Sequence, residues 1–314
     1  MLEVKNVSVS YGNETIVDNI SFAIQPKETV SIVGESGSGK STLLKAIIGL
    51  LGDSGWISGG TITFDGINLA SLKDDEMRKI RGAQIATVYQ QAGRSMDPIT
   101  KIGKQFYEAM VTKKKITRKE SRQCAISCMK ALSIKNPDQI INSYPVTLSG
   151  GTNQRVALAL AMVMNPKLIL ADEPTSALDV TVQVEVVEAM RALKEQCSAA
   201  ILMVTHNIGV VAQMADKVGV MFEGNLVEWG TREQILTHPI HPYTQLLMDA
   251  VLRMDGTMPR VKEIYRSREK AGCPFYYRCP KADDVCSRKA PESREVEAGH
   301  KIMCHRAHVE EQYE

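Results

Sequence analysis

The residues with the most chemistry to offer are Gly34-Glu35-Ser36-Gly37-Ser38-Gly39-Lys40-Ser41, followed by Thr42. They follow an apolar run, Thr29–Val33, that predicts a buried strand, and they open a helical pattern over Thr42–Leu50. A glycine-rich turn between strand and helix lets successive backbone N–H groups converge on one anion, and the helix N-terminus adds its partial positive charge. At this spacing Lys40 reaches β- and γ-phosphates, and the Ser41 hydroxyl is placed to ligate Mg²⁺. A glycine-rich loop alone would only turn the chain. Lysine, hydroxyl and flanking elements together point to a bound nucleoside triphosphate.

Hydrolysis needs a second set of residues, and Leu168-Ile169-Leu170-Ala171-Asp172-Glu173 supplies it. Four consecutive apolar residues predict a central parallel strand buried on both faces. The acidic pair ends that strand, where ligands bind in open α/β sheets. Asp172 is placed to hold Mg²⁺, and Glu173 to orient and deprotonate an attacking water.

Between these two halves lies Leu148-Ser149-Gly150-Gly151, which opens a helical pattern over Thr152–Met164. A Ser-Gly-Gly helix start is ordinarily just a cap. In this order it resembles the signature sequence of ATP-binding cassette (ABC) ATPases, and further residues fit that family. Tyr11 before Gly12 is similar to the aromatic that stacks on adenine. Gln90, after a strand over Ile85–Tyr89, is similar to the Q-loop glutamine, a further Mg²⁺ ligand. Ser176-Ala177-Leu178-Asp179 resembles the D-loop, and His206, after an apolar strand over Ala199–Thr205, the switch histidine.

The resemblance implies a head-to-tail pair of cassettes, identical or paralogous, with each ATP held between one cradle and the other signature. Ser149, Gly150 and Gly151 would complete the γ-phosphate shell in trans, and a lone chain would be a poor ATPase. It also implies two transmembrane permease subunits and an extracytoplasmic substrate-binding protein, with this chain at the cytoplasmic face of the membrane.

The implied fold is an α/β P-loop NTPase core with an antiparallel β subdomain, an inserted helical subdomain and a C-terminal cysteine-containing extension. The cassette is expected over 1–235, its helical subdomain at about 99–164, and the extension over 236–314. Alternating strand patterns run from Leu2 to Phe64, charged helical periodicity from about Ile99 to Tyr144, and strand and helix then alternate to Val220. A chain of 314 residues can bury such a core. With a formal net charge of +2, nothing recommends nucleic acid as a partner. No stretch approaches the roughly 20 apolar residues that cross a bilayer, and no signal-peptide pattern opens the chain. Lys113-Lys114-Lys115 with Arg118 and Lys119 reads as a solvated helix face.

Two features resemble the oligopeptide, dipeptide and nickel branch of ABC importers. One is Ala177-Leu178-Asp179-Val180-Thr181-Val182-Gln183 together with Ser95-Met96-Asp97-Pro98. The other is a tail beginning with a helix at His241-Pro242-Tyr243-Thr244 and continuing through Gly272-Cys273-Pro274-Phe275 and Arg278-Cys279-Pro280. Departures are Gln91 and Ala92 after Gln90, Thr152 after the signature, and a Val251–Cys273 link lacking a proline-rich stretch. Cys273, Cys279, Cys286 and Cys304 crowd the polar tail, and four thiolates suit an iron–sulfur cluster or zinc, with four reduced thiols as the alternative. Their spacing matches neither common pattern. The resemblance favours [4Fe–4S], and His300 or His305 could replace one ligand.

Two function classes follow. The first is the ATP-hydrolysing subunit of an importer for peptides, or else for nickel or a chelated metal. The second is a soluble ABC ATPase acting on nucleic acid or the ribosome. A single cassette, no long coiled-coil insertion and the His-Pro-Tyr-Thr tail favour the importer.

Overall fold

The structure, a computed structural model, describes residues 1–90, 92–176, 178–252 and 271–306. Gln91, Ala177 and most of the Val251–Cys273 link, all invoked above, lie outside the described residues. The strands in chain order are β1 (Leu2–Tyr11), β2 (Glu14–Ile24), β3 (Thr29–Val33), β4 (Gly55–Phe64), β5 (Ile67–Asn68) and β6 (Ile85–Val88). They continue with β7 (Leu168–Asp172), β8 (Ala200–Thr205), β9 (Lys217–Phe222), β10 (Asn225–Thr231), β11 (Arg294–Glu297) and β12 (His300–Ile302).

Two sheets form. The alternation along the N-terminal segment produces a four-stranded antiparallel sheet of order β2-β1-β4-β5. There Leu2 faces Ile24 on one side and Phe64 on the other. The second sheet has the order β11-β12-β10-β9-β3-β8-β7-β6. From β9 to β6 every pairing is parallel, and β10, β12 and β11 then add antiparallel strands at the far edge. Every residue of β3 and β8 is buried, as continuous apolar runs in a parallel sheet require.

This strand order positions the chemistry. The cradle leaves the C-terminal end of β3, His206 that of β8, Asp172 and Glu173 that of β7, and Gln90 lies two residues past β6. Register keeps these ends level: Val33 faces Thr205, Val204 faces Asp172, and Ala171 faces Val88. Motifs far apart in sequence thus meet along one edge of one sheet.

Helices Ile102–Val111, Arg118–Ala131, Pro137–Ile140 and Gly150–Met162 lie between β6 and β7, packed through Phe106, Met110, Ala125 and Met129. Thr117 caps the second of these in a reciprocal box with Glu120. Lys113–Lys115 lie in the connection between two helices and not on a helix face, so that part of the expectation is corrected.

The C-terminal residues include a helix, Pro242–Leu252, a turn, Tyr276–Arg278, and a short helix, Asp284–Arg288, before β11 and β12. They do not stand apart, because β12 pairs with β10. Glu228 of β10 is fully buried, and one of its oxygens lies 2.8 Å from His300 Nε2 of β12. Its carboxylate also accepts the N–H groups of Ile240 at 2.8 Å and His241 at 3.1 Å. One satisfied buried carboxylate therefore joins the sheet to both ends of the tail.

Candidate functional site

The cradle is built to leave donors unused. Helix Lys40–Ile47 has Gly39 as its N-cap, with no side-chain cap and no acid in its first turn. Its first N–H groups are therefore available to an external anion. Gly39 has φ of +97°, and a Cβ there would lie 2.8 Å from Ile16 O, so only glycine fits. Lys40 is buried, and its Nζ donates to Gly34 O at 2.8 Å, Glu35 O at 2.7 Å and Ser38 Oγ at 3.3 Å. The ammonium thereby draws the loop around itself. Burial lowers the Lys40 pKa, opposed by the charges of Glu173, Asp172 and Glu35.

Ser41 Oγ donates a 2.8 Å hydrogen bond to Asp172 Oδ1. Burial raises the Asp172 pKa first, the Ser41 bond opposes it, and the Glu173 charge raises it further. A hydroxyl and a carboxylate, both hard oxygen donors, fit a Mg²⁺ ion. Gln90 is exposed just past the end of β6. Gln154 Nε2 donates to Tyr89 O at 3.2 Å and so ties that strand end to helix Gly150–Met162.

Glu173 is held in an unusual backbone state, with φ of +49°. Left-handed geometry in a non-glycine residue costs about 1–2 kcal/mol and persists only where neighbours enforce it. Its N–H donates to Val204 O at 2.9 Å, and its carbonyl accepts both the N–H and the hydroxyl of Ser176, at 3.2 and 2.9 Å. His206 Nδ1 lies 2.9 Å from Glu173 Oε1 and 2.7 Å from Oε2, with hydrogen-bond geometry to Oε1 alone. Oε2 is left buried without a hydrogen-bond partner. A carboxylate held by a histidine at the end of a central strand is a capable proton acceptor.

Five of the expected site residues lie on other elements. Ser149 caps helix Gly150–Met162, accepting from Thr152 N–H at 3.3 Å, and remains exposed. A Cβ on Gly151 would come within 2.3 Å of Val182 Cγ1, whereas one on Gly150 would meet only Leu178 Cδ2 at 3.6 Å. Asp179 caps helix Val180–Cys197 through Val182 N–H at 3.0 Å. Gln183 of that helix bonds Leu178 O at 3.0 Å and accepts from Asn207 at 3.0 Å, linking it to the residue after His206. Tyr11 ends β1 with its ring over Gly55, where an added Cβ would meet it at 2.6 Å.

The iron–sulfur or zinc expectation finds no support among the described residues. Cys273, Cys279, Cys286 and Cys304 do line one cavity, but it measures about 10 Å³, room for one water at most. Among the described residues no group of three or more His, Cys, Asp or Glu could hold a metal ion. Cys273, Cys279 and Cys286 belong instead to an apolar cluster with Phe275 and Tyr243, and burial pushes the Cys273 thiol up to about 12. The substitute ligands are engaged elsewhere, His300 with Glu228 and His305 with Lys289 O at 2.8 Å. Cys273, Cys279 and Cys286 are core thiols, and Cys304 is half-buried beside them.

The family model for ABC transporters matches residues 17–176, just over half of the chain. The chain belongs to the ABC transporter family. A second model, for the oligopeptide/dipeptide transporter C-terminal region, matches residues 227–286 of this ABC cassette chain. The oligopeptide transport ATP-binding protein AppD of Bacillus subtilis is 38% identical over 314 residues, covering 97% of this chain and 96% of that protein. The dipeptide transport ATP-binding protein DppD of the same organism is 37% identical over 319 residues, covering 97% and 94%. The dimeric cassette MJ0796, solved in a post-hydrolysis state with ADP and Pi, superposes with a TM-score of 0.65 at 32% identity. That comparison covers 74% of this chain and 99% of MJ0796. The expected ABC ATPase fold is thus met.

Two residues of the site were given no part in nucleotide binding by the sequence motifs. Tyr243 and Arg278, from the tail, both bond Glu35 of the cradle. The His-Pro-Tyr-Thr run marked Tyr243 as notable without indicating what it touches.

Proposed function

We propose that this chain is the ATP-hydrolysing subunit of an ABC importer for oligopeptides or dipeptides, seated at the cytoplasmic face of a membrane. Residues 1–235 form the cassette and 236–314 the appended segment. The observation that carries this is the gathering of cradle, Ser41–Asp172 pair and Glu173–His206 pair on one sheet edge, in a chain whose C-terminal part matches the peptide-transporter region. Among the described residues no helix is long and apolar enough to cross a membrane, so other subunits would supply the passage.

The cradle N–H groups and Lys40 bind the β- and γ-phosphates, and Tyr11 stacks on adenine. Ser41, Gln90 and Asp172 are the residues that would hold Mg²⁺, which neutralises phosphate charge when bound. The Glu173 carboxylate takes the proton of the attacking water as the water oxygen bonds the γ-phosphorus, and the bond from the γ-phosphorus to the oxygen bridging to the β-phosphate breaks, leaving ADP with that electron pair. His206 holds Oε1 and keeps the base aimed. Its ring, 64% exposed, also faces outward, where it can report the γ-phosphate.

Ser149, Gly150, Gly151 and Asp179 serve the nucleotide of a second cassette, identical or paralogous. The dimeric state of MJ0796 supports this pairing. Two permease subunits and an extracytoplasmic binding protein complete the assembly and set the substrate. The test is purification from membranes followed by ATPase assay with peptide-loaded binding protein. Recovery of permease subunits and peptide-stimulated turnover are expected. Recovery with ribosomes or nucleic acid, and no permease, contradicts the proposal.

A further inference from the structure

We propose that the C-terminal segment braces the phosphate cradle through Glu35, making Tyr243 and Arg278 positioning residues for nucleotide binding. The inference rests on the reading that the cradle binds ATP. Glu35 is gripped at two places. Its backbone N–H donates to Tyr243 Oη at 3.0 Å, and its carboxylate makes a two-point ion pair with Arg278, Nη1 to Oε2 and Nη2 to Oε1, each 2.8 Å. The partners lie 208 and 243 positions further along the chain, on separate elements.

Both partners are themselves fixed. Tyr243 is 1% exposed, with its ring 4.7 Å from Phe222 and 5.5 Å from Phe275, centroid to centroid. The Arg278 guanidinium carbon lies 5.6 Å from the Phe222 centroid and 5.8 Å from that of Phe275. Phe222 ends β9, the strand beside β3, so the brace is anchored to the same sheet that carries the cradle. Both charged side chains are partly exposed, 40% for Arg278 and 46% for Glu35, but a planar guanidinium already held by two rings loses little freedom in gripping a carboxylate.

The grip reaches the phosphate site by two routes. Glu35 O is one of the acceptors of Lys40 Nζ, at 2.7 Å, so fixing Glu35 fixes the ammonium. Arg278 also neutralises a carboxylate that would otherwise stand bare in the wall of an anion site. The Arg278 hydrogen bond holds the Glu35 carboxyl below its ordinary value, as a favourable ion pair does. Burial keeps the Tyr243 hydroxyl un-ionised, pushed up to about 12.

The experiment is ATP titration of the full chain as wild type, Arg278→Ala, Tyr243→Phe, and Arg278→Ala with Glu35→Gln. Thermal melting is recorded for each. Arg278→Ala is expected to weaken ATP affinity by roughly three- to tenfold, more at low ionic strength. Adding Glu35→Gln is expected to recover part of that loss, because the unneutralised charge is gone. Tyr243→Phe is expected to speed amide exchange at Glu35 and weaken ATP by a smaller factor. Equal affinity in wild type and Arg278→Ala overturns the brace, as does a lowered melting temperature with unchanged affinity. A loss that Glu35→Gln leaves untouched also overturns it. Failure of wild type itself to bind ATP instead overturns the underlying reading of the cradle.

Discussion

Ser41 and Asp172 are joined by a 2.8 Å hydrogen bond, although 131 positions separate them in the chain. One opens the helix after β3 and the other closes β7, two strands away in the sheet. The bond joins the cradle to the acidic strand, and the candidate site depends on that junction.

Glu173→Gln tests the base. The amide keeps the size of the side chain and removes the proton acceptor, so turnover should fall by about 10²–10⁴-fold. ATP affinity should hold, since cradle and Lys40 are untouched. Single-turnover hydrolysis beside equilibrium ATP binding makes the comparison, and wild-type turnover would rule Glu173 out as the base.

Lys40→Ala tests the cradle. Losing the ammonium removes a charge-assisted donor to phosphate and three bonds that shape the loop. Affinity for ATP should drop at least about tenfold, worth about 1.4 kcal/mol. Unchanged affinity in a titration would contradict the assignment.

The two signature glycines should behave differently. Gly151→Ala drives a methyl into Val182, 2.3 Å away, and should destabilise the fold by roughly 1–3 kcal/mol. Gly150→Ala meets only ordinary contact and should melt like wild type while losing ATP-dependent pairing. Thermal melts and size-exclusion chromatography with ATP on the Glu173→Gln background would separate the two effects.

Acid should loosen the tail. Burial lowers the His241 pKa from 6.5 to about 4, with the Glu228 charge opposing. Between those values the unfolded chain binds a proton that the folded chain refuses, so this contribution is whole above pH 6.5 and shrinks as pH falls towards 4. Melting temperatures across that window should fall less steeply for His241→Gln than for wild type. Identical slopes would show that His241 is not responsible.

The tail thiols should resist alkylation. Cys273 is raised to about 12 by burial, and Cys286 and Cys304 are raised for the same leading reason. Iodoacetamide near neutral pH should label them only once the chain is unfolded, since the thiolate is the reacting form. Mass spectrometry of native and denatured samples reads the difference directly. Rapid native labelling of Cys273 would refute the packing assignment.

The motif chemistry was legible because each unit is local. A strand, a glycine turn, a lysine and a hydroxyl must be contiguous to make a phosphate cradle, and the acidic pair must end its strand to reach the ligand edge. What could not be read was anything set by packing between distant segments. The cysteines illustrate this: four thiols close in sequence suggested a metal, but Phe275 and Tyr243 draw three of them into an apolar core around a space of about 10 Å³. Glu173 illustrates it too, because its left-handed backbone is enforced by Val204 and Ser176 and not by its own preference.

The sequence by itself therefore determined the family, the parallel sheet and the identity of the phosphate-facing residues, since those follow from short, ordered patterns. Only the tertiary structure decided that Tyr243 and Arg278 reach Glu35, and that β12 closes onto β10 through Glu228 and His300. Those pairings depend on where apolar surfaces bring remote segments together, and spacing along a chain does not encode that.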